Sequence, residues 1–575
     1  MRKLLSSLLL LGICLAMSAQ GTTKINSIKR NPLYLYAEAT METSAEAYEV
    51  ASELLYVQAK EYAAGASVHI DTAFPSTDEL KVKLLGVSMG TINPMLGWKK
   101  RFGHYALEAS AEYLGSNGKY PYNYFDTTLV RENDDIRSLR LDTRLFGSQE
   151  RGDWRVLIHA YGSERGFPGP VVRRALGFPL SAERQADQDL SVQGTWKQEW
   201  TSSYASAIRF KYLNSYTHYS THPEKNPMAA PYDLHYRQQS FYFSVAQSLA
   251  LSSAFSADFS LDYHGNALDS DAGAFAKPVR NALTAALAGR MVMDKIRIAV
   301  HLVYQGVYDR FLNPHAGGWK TDDSWRDGWM PSLSLSWEPL PWFDADIFVK
   351  RTFRMPSFND LYYTLMGNSG LSPESALQLG SDLHVHWKAD DLRGEVRLSP
   401  YFNRVSDKIV AIPTASQFRW TMLNIGIADI TGLDFKAETA YRRGEWSLEA
   451  IFRYSFQQAL DHSTPGSMTY GNQIPYIPLH SGSVDLNASL GKWSLTWNTV
   501  LTGERWSRSA NTADYHIDPW SISDVELGRQ LLTRDGGMHL TLSLRFSNIF
   551  DVRYQIVQGY PMPGRTFLAA LTLLL

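Results

Sequence analysis

From Gly537 to its last residue the chain reads GMHLTLSLRFSNIFDVRYQIVQGYPMPGRTFLAALTLLL, and no other stretch constrains the fold as much. Leu540, Leu542, Leu544 and Phe546 alternate with Thr541, Ser543, Arg545 and Ser547. A period of two with one continuous apolar face describes a strand with an apolar medium on one side and water on the other. After a Pro/Gly-rich excursion over residues 560–564, an apolar strand over 565–575 closes the sequence. A strand in that position has an open edge. Closure of a barrel, with residues 565–575 paired to residues near 81–90, is the arrangement that satisfies it.

Composition narrows the class. The 575 residues carry 56 Lys+Arg against 58 Asp+Glu, a balance that offers no argument for nucleic acid as a partner. The single cysteine, Cys14, lies within the first apolar run, which excludes a disulfide framework and thiolate chemistry in the mature protein. Arg2 and Lys3, an apolar region over residues 4–15, and small residues at Ala16, Ser18 and Ala19 read as a secretory signal over residues 1–19. Beyond it no apolar run reaches the ~18 residues of a helical membrane span. An exported chain of this length, rich in alternating strands, is expected in the bacterial outer membrane, with lipid as its surroundings.

Residues 20–79 differ from the rest. Thr43, Ser44, Ala45 and Glu46 form a capping-box pattern, and Ala47, Val50, Ala51, Leu54, Leu55 and Gln58 follow at helical spacing. The expectation is a short periplasmic segment with one amphipathic helix and an extended entry over residues 34–37. The run NPLYLYAEATMETSAEAYEVA resembles the opening of a small secreted lipoprotein-like family. From residue 80 to 575 the pattern is all β, with about 22 candidate strands of spanning length. Short connections, such as residues 102–104, 443–445 and 491–492, alternate with long ones, such as residues 115–135, 163–187, 308–327 and 354–376. That parity is what a closed antiparallel transmembrane barrel requires, with turns in the periplasm and loops outside. Tyr105, Leu107, Ala109, Ala111 and Tyr113 are expected to face lipid, and Ala106, Glu108, Ser110 and Glu112 the lumen.

Three stretches resemble the TonB-dependent outer-membrane receptors, in particular the cobalamin-receptor-like branch. The first is Gly90-Thr91-Ile92-Asn93-Pro94-Met95-Leu96 with residues 112–122. The second is Phe353-Arg354-Met355-Pro356-Ser357-Phe358-Asn359-Asp360-Leu361-Tyr362-Tyr363 with Gly367-Asn368 and Leu371-Ser372-Pro373-Glu374. The third joins Asn424-Ile425-Gly426 and Gly432-Leu433-Asp434 to Ser547-Asn548-Ile549-Phe550-Asp551, Tyr554 and residues 559–565. Read bottom-up, Pro356 ends a strand and Asn359, Asp360, Gly367, Asn368, Asn548 and Asp551 are turn formers. The resemblance implies import of a scarce small ligand, cobalamin-like or a metal chelate, driven by the TonB system. Two departures stand out. Where the family carries an N-terminal plug, the segment at residues 71–78 joins directly to the first strand, so that a separate plug or lipoprotein partner is a possibility the resemblance raises. The last residue, Leu575, takes the place of the usual terminal aromatic.

Candidate chemistry is sparse. Tyr120, Tyr122, Tyr124, Trp319, Trp325 and Trp506 are candidate ligand contacts on outer loops, because loops carry recognition and aromatic side chains supply contact area. An interfacial aromatic belt is the competing reading for them and for Trp329 and Trp520. His384 and His386 share a strand face, but two imidazoles without a third ligand read as wet lumenal side chains, and no metal site is assigned. Asp322, Asp323 and Asp327 lack the glycine and terminal carboxylate of a calcium loop. No nucleophile with an adjacent base and no phosphate-binding loop occurs, so neither an enzyme nor a cofactor is expected. A passive pore, a structural barrel or a truncated fusion without transport is the alternative to a receptor.

Overall fold

In the computed structural model, Glu79–Val87 pairs antiparallel with Thr566–Leu574, from Lys81 opposite Leu574 to Val87 opposite Leu568. Leu80 and Leu575 exchange two 2.8 Å backbone hydrogen bonds at the rim. This ladder joins the first and last strands of one continuous antiparallel sheet. Within it the two-residue Thr91–Ile92 is an adjunct to the first hairpin, and the remaining 22 strands close into a barrel. The structure describes residues 77–575 apart from 125, 170, 172–182, 222–231, 316–317, 363–366, 414–419 and 535–536. The expected signal at 1–19, and the helix expected within 20–79, lie outside the described residues.

Alternation along the strands sorts side chains between two media. Phe259, Leu287 and Leu302 stand in one cross-strand row, and all three are exposed. The other face of the same strands buries Asp258 beside Arg290. A water-soluble protein would bury such a row. Here exposed Leu, Ile, Val and Phe recur around the circumference, which is the surface a bilayer covers. Trp200, Trp337, Trp342, Trp387, Trp446 and Trp493 lie exposed at the turn ends of their strands and form a periplasmic girdle. Leu287→Arg, near the middle of Val279–Met293, is expected to cost about 2–4 kcal/mol. Unfolding titrations in lipid vesicles check this.

The lumenal face is laced by ion pairs between neighbouring strands. Glu108 meets Arg144 at 3.4 Å, as the expected facing of Tyr105–Ser116 requires, and Tyr105 and Tyr113 are exposed near its two ends. Asp142 and His159 are 2.7 Å apart, and Arg165 and Asp187 are 2.9 Å apart. These pairs satisfy groups that the barrel wall removes from bulk water.

Two expectations are corrected by the strand bounds. Most of the connection expected over residues 308–327 is strand, over 308–315 and 318–327: Ile296–His315 and Gly318–Leu340 are paired antiparallel along their length and project beyond the membrane band. In addition, the turn-forming run after Pro356 contains a five-residue helix, Phe358–Tyr362. Ser357 and Asp360 cap it reciprocally, the Ser357 N–H donating to Asp360 Oδ2 (2.9 Å) and the Asp360 N–H to Ser357 Oγ (3.2 Å).

Candidate functional site at the barrel mouth

Among the described residues, several outer connections fold back inside the ring. Tyr120, Tyr122 and Tyr124 lie on one face of the hairpin Pro121–Tyr124 and Thr127–Val130 and its approach, and all three are buried. They join a cluster with Met89, Tyr476, Ile517, Tyr554, Val557 and Met562 from other connections. The same cluster includes Val500 and Ile522, which are directly paired on adjacent barrel strands. Leu495 and Leu501 point outward from the strand of Val500, so Val500 faces the lumen and the loop cluster sits within the mouth.

Polar latches hold these segments. The Tyr120 hydroxyl donates to the Pro561 carbonyl at 2.9 Å, a contact between residues 441 positions apart. Burial pushes this phenol well above its ordinary pKa, so it stays a neutral donor. Tyr120→Phe is expected to cost about 1 kcal/mol and to raise protease cleavage within residues 548–565, read by limited proteolysis of the folded barrel. Arg505 donates through Nη2 to the Gln555 and Ile556 carbonyls, at 2.7 and 2.9 Å. Burial lowers the pKa of its guanidinium to about 10, which leaves it charged at neutral pH. Arg131 donates to the Pro168 and Gly169 carbonyls and lies 5.9 Å from the centre of the Tyr122 ring. The turn before Tyr120 demands glycine: Gly118 has φ +66°, and a Cβ there would stand 1.9 Å from the Asp134 carbonyl oxygen.

The residues carrying the family resemblance are structural latches of the same mouth. Arg354 reaches Asp360 at 3.4 Å and Glu374 at 3.5 Å, spanning both ends of the connection that holds the short helix. Asn368 Nδ2 donates to the Met422 carbonyl, and Asn424 exchanges hydrogen bonds with the Ser372 backbone. Asn548 and Asp551 adopt positive φ, with Asn548 bonded to Val552 and Asp551 accepting the Arg565 N–H. A Cβ at Gly432 would collide with the Tyr401 ring at 2.2 Å, which accounts for a glycine opposite that tyrosine.

The other candidates fall elsewhere. Trp506 belongs to a two-stranded pairing with His516 above the wall, its carbonyl accepting the Tyr476 N–H at 2.7 Å. Trp325 stands on the barrel strand Gly318–Leu340, not on a loop, and is exposed on the same face as Trp329, Leu333 and Leu335. Trp319 opens that strand at a position whose side chain lies outside the described part. His384 and His386 do face the lumen, but the assumption that they lack a third ligand is corrected: Asp344 approaches both from the adjacent strand. Sequence reading missed Arg131, Arg505 and Asp344. Each acts across a connection whose length hides the pairing.

A closed 22-stranded barrel with a lipid-facing apolar band, a charged lumen and loops folded into one mouth defines a transmembrane barrel of the outer membrane. The profile described as TonB dependent receptor-like, beta-barrel matches residues 113–549. The chain belongs to that family, which consists of receptors and transporters and not of enzymes. It is similar to the vitamin B12 transporter BtuB of Vibrio vulnificus, with 24% identity over 41% of this chain and 36% of the relative. It is also similar to the vitamin B12 transporter BtuB of Photobacterium profundum, with 22% identity over 38% of this chain and 33% of the relative. The matched part is therefore about a third of the length of these curated relatives. Among solved structures, the siderophore receptor PiuA from Acinetobacter baumannii superposes with TM-score 0.69 at 11% identity, covering 87% of this chain and 82% of that one. The copper transporter OprC gives 0.68 at 13% identity, covering 87% and 80%. These superpositions establish the fold.

Proposed function

We propose that this chain is an outer-membrane receptor that captures a scarce small ligand, a cobalamin or a metal chelate, at the mouth and passes it inward with energy from the TonB system. The observation that carries the reading is the mouth cluster. Tyrosines and methionines from several connections pack together inside the ring, which concentrates aromatic side chains at the mouth where an entering ligand meets the protein. Relatives named as vitamin B12 transporters, a neighbour named as a siderophore receptor and one named as a copper transporter support the ligand class. Tyr120, Tyr122, Tyr124 and Trp506 are the contacts this proposal rests on. Trp325 faces outward, at the level of an aromatic belt.

Quenching of intrinsic fluorescence by cyanocobalamin and by ferric chelates tests the proposal, with the protein in parallel in a planar bilayer. Saturable quenching by one class, weakened at least tenfold by Trp506→Ala or Tyr122→Ala, with small or no steady current, is the expected result. Large steady conductance without saturable binding would identify a passive pore and overturn it.

A further inference from the structure

We propose that Asp344, His384 and His386 form a binding site for a divalent transition-metal ion on the lumenal wall near the periplasmic rim, separate from the mouth. Phe343–Arg354 and Glu374–Ala389 are paired neighbours, with Asp344 directly opposite His384. His386 is two residues further along the same face, and its N–H is hydrogen-bonded to the carbonyl of Trp342 in the periplasmic turn. Ligand atoms of all three residues lie within 4.8 Å of one another. Asp344 Oδ1 is 2.9 Å from His384 Nδ1 and 3.6 Å from His386 Nδ1. Donors at ~2.0–2.1 Å from a tetrahedral ion are separated by roughly 3.3 Å, so these two edges bracket the value that coordination needs.

The far side of His384 is built in the same sense. Its Nε2 is buried without a hydrogen-bond partner, and Glu395 Oε2 stands 3.5 Å away. When a histidine ligates through one nitrogen, a carboxylate commonly accepts the proton on the other and fixes the ring. Glu395 is placed for that role. It pairs with His386 in the strand register and is held by Lys436 at 2.6 Å, while Lys436 also reaches Glu438 at 2.8 Å. Arg397, opposite His384, is the nearby cation on the next strand. Two imidazoles and one carboxylate on rigid strands, with His386 half-exposed to the lumen, leave open positions for water or a passing ligand. The ion class is a first-row divalent cation that accepts imidazole and carboxylate donors, such as zinc or cobalt. The site is a property of the barrel wall and does not depend on which ligand the mouth takes.

A second histidine pair must be separated from it. His218 and His235 stack 4.3 Å apart at the outer end of their strands and, with Asp233, form the other described group whose ligand atoms lie within 4.8 Å of one another. The two imidazoles are hydrogen-bonded to Asp233 and Asp271 respectively, and neither has a buried, unpartnered nitrogen like His384 Nε2. The experiment titrates chelator-treated, detergent-folded full chain with cobalt(II), following ligand-field absorption and calorimetry, with zinc(II) as competitor. One equivalent is expected to bind, to be displaced by zinc, and to weaken at least tenfold in His386→Gln and in Asp344→Asn. In His218→Gln/His235→Gln it is expected to be unchanged. His386→Gln removes a half-exposed side chain, so the heat-shifted gel band of the folded barrel is expected to persist. No stoichiometric binding, or binding lost only in the His218/His235 variant, would overturn the proposal.

Discussion

A chain lacking Thr566–Leu574 is expected to yield no closed barrel, and its electrophoretic mobility is expected to be the same with and without boiling. The lost strand has nine paired positions with Met538–Ser547 and seven with Glu79–Val87. Removing it opens two edges, and within the hydrocarbon each unpaired N–H or C=O costs several kcal/mol. No rearrangement of the remaining strands recovers this cost without closing a ring of a different size, for which their registers are wrong. A milder version keeps the length. Leu571 pairs with Leu84 on one side and Leu542 on the other, and Leu571→Pro removes one ladder donor at mid-strand. It is expected to lower the folded fraction without abolishing it. A heat-modifiable barrel formed in full yield by the shortened chain would show that closure does not run through this seam.

The seam was legible because period-two alternation survives wherever one face meets lipid. Loop parity supported the strand count for a related physical reason, since turn and loop lengths answer to different compartments. Legibility ended where the lipid ended. Beyond the membrane band a strand no longer needs an apolar face, so Asp322 and Asp323 broke the alternation and suggested a loop, although they pair in register with Phe311 and Arg310. The mouth was half legible. Tyr120, Tyr122 and Tyr124 keep a two-residue spacing that places them on one face, but the identity of what they bury against depends on residues more than 400 positions away. Asp344 was hidden in another way. Its strand and that of His384 are joined by a connection of 19 residues, 355–373, and nothing in that length reports which residue stands opposite which.

Arg280→Ala is expected to be the most damaging point substitution among the described ion pairs, at about 3–5 kcal/mol. Arg280 donates Nε to Asp309 Oδ1 and Nη2 to Asp309 Oδ2, both at 2.7 Å, and Nη1 to the Pro356 carbonyl, also at 2.7 Å. Its guanidinium lies 5.1 Å from the centre of the buried Phe358 ring. The side chains of the pair are only 10% and 7% exposed, so truncating the arginine strands a carboxylate where water cannot replace the lost donors. The same change frees the Pro356 carbonyl at the start of the connection that carries the capped helix. Stability and local order are therefore expected to fall together, with faster hydrogen exchange over residues 355–373 and unchanged exchange in the distant hairpin Trp446–Asp461 and His480–Leu490. Arg280→Lys keeps the charge but not the planar fork and is expected to fall between wild type and Ala. The double change Arg280→Met/Asp309→Asn removes the stranded charge along with its partner and is expected to regain most of the global stability. The exchange over residues 355–373 is expected to stay fast in it, because Met offers the Pro356 carbonyl no donor. Stability that failed to return in the double variant would mean that the guanidinium acts through Phe358 and Pro356, and that its pairing with Asp309 contributes little.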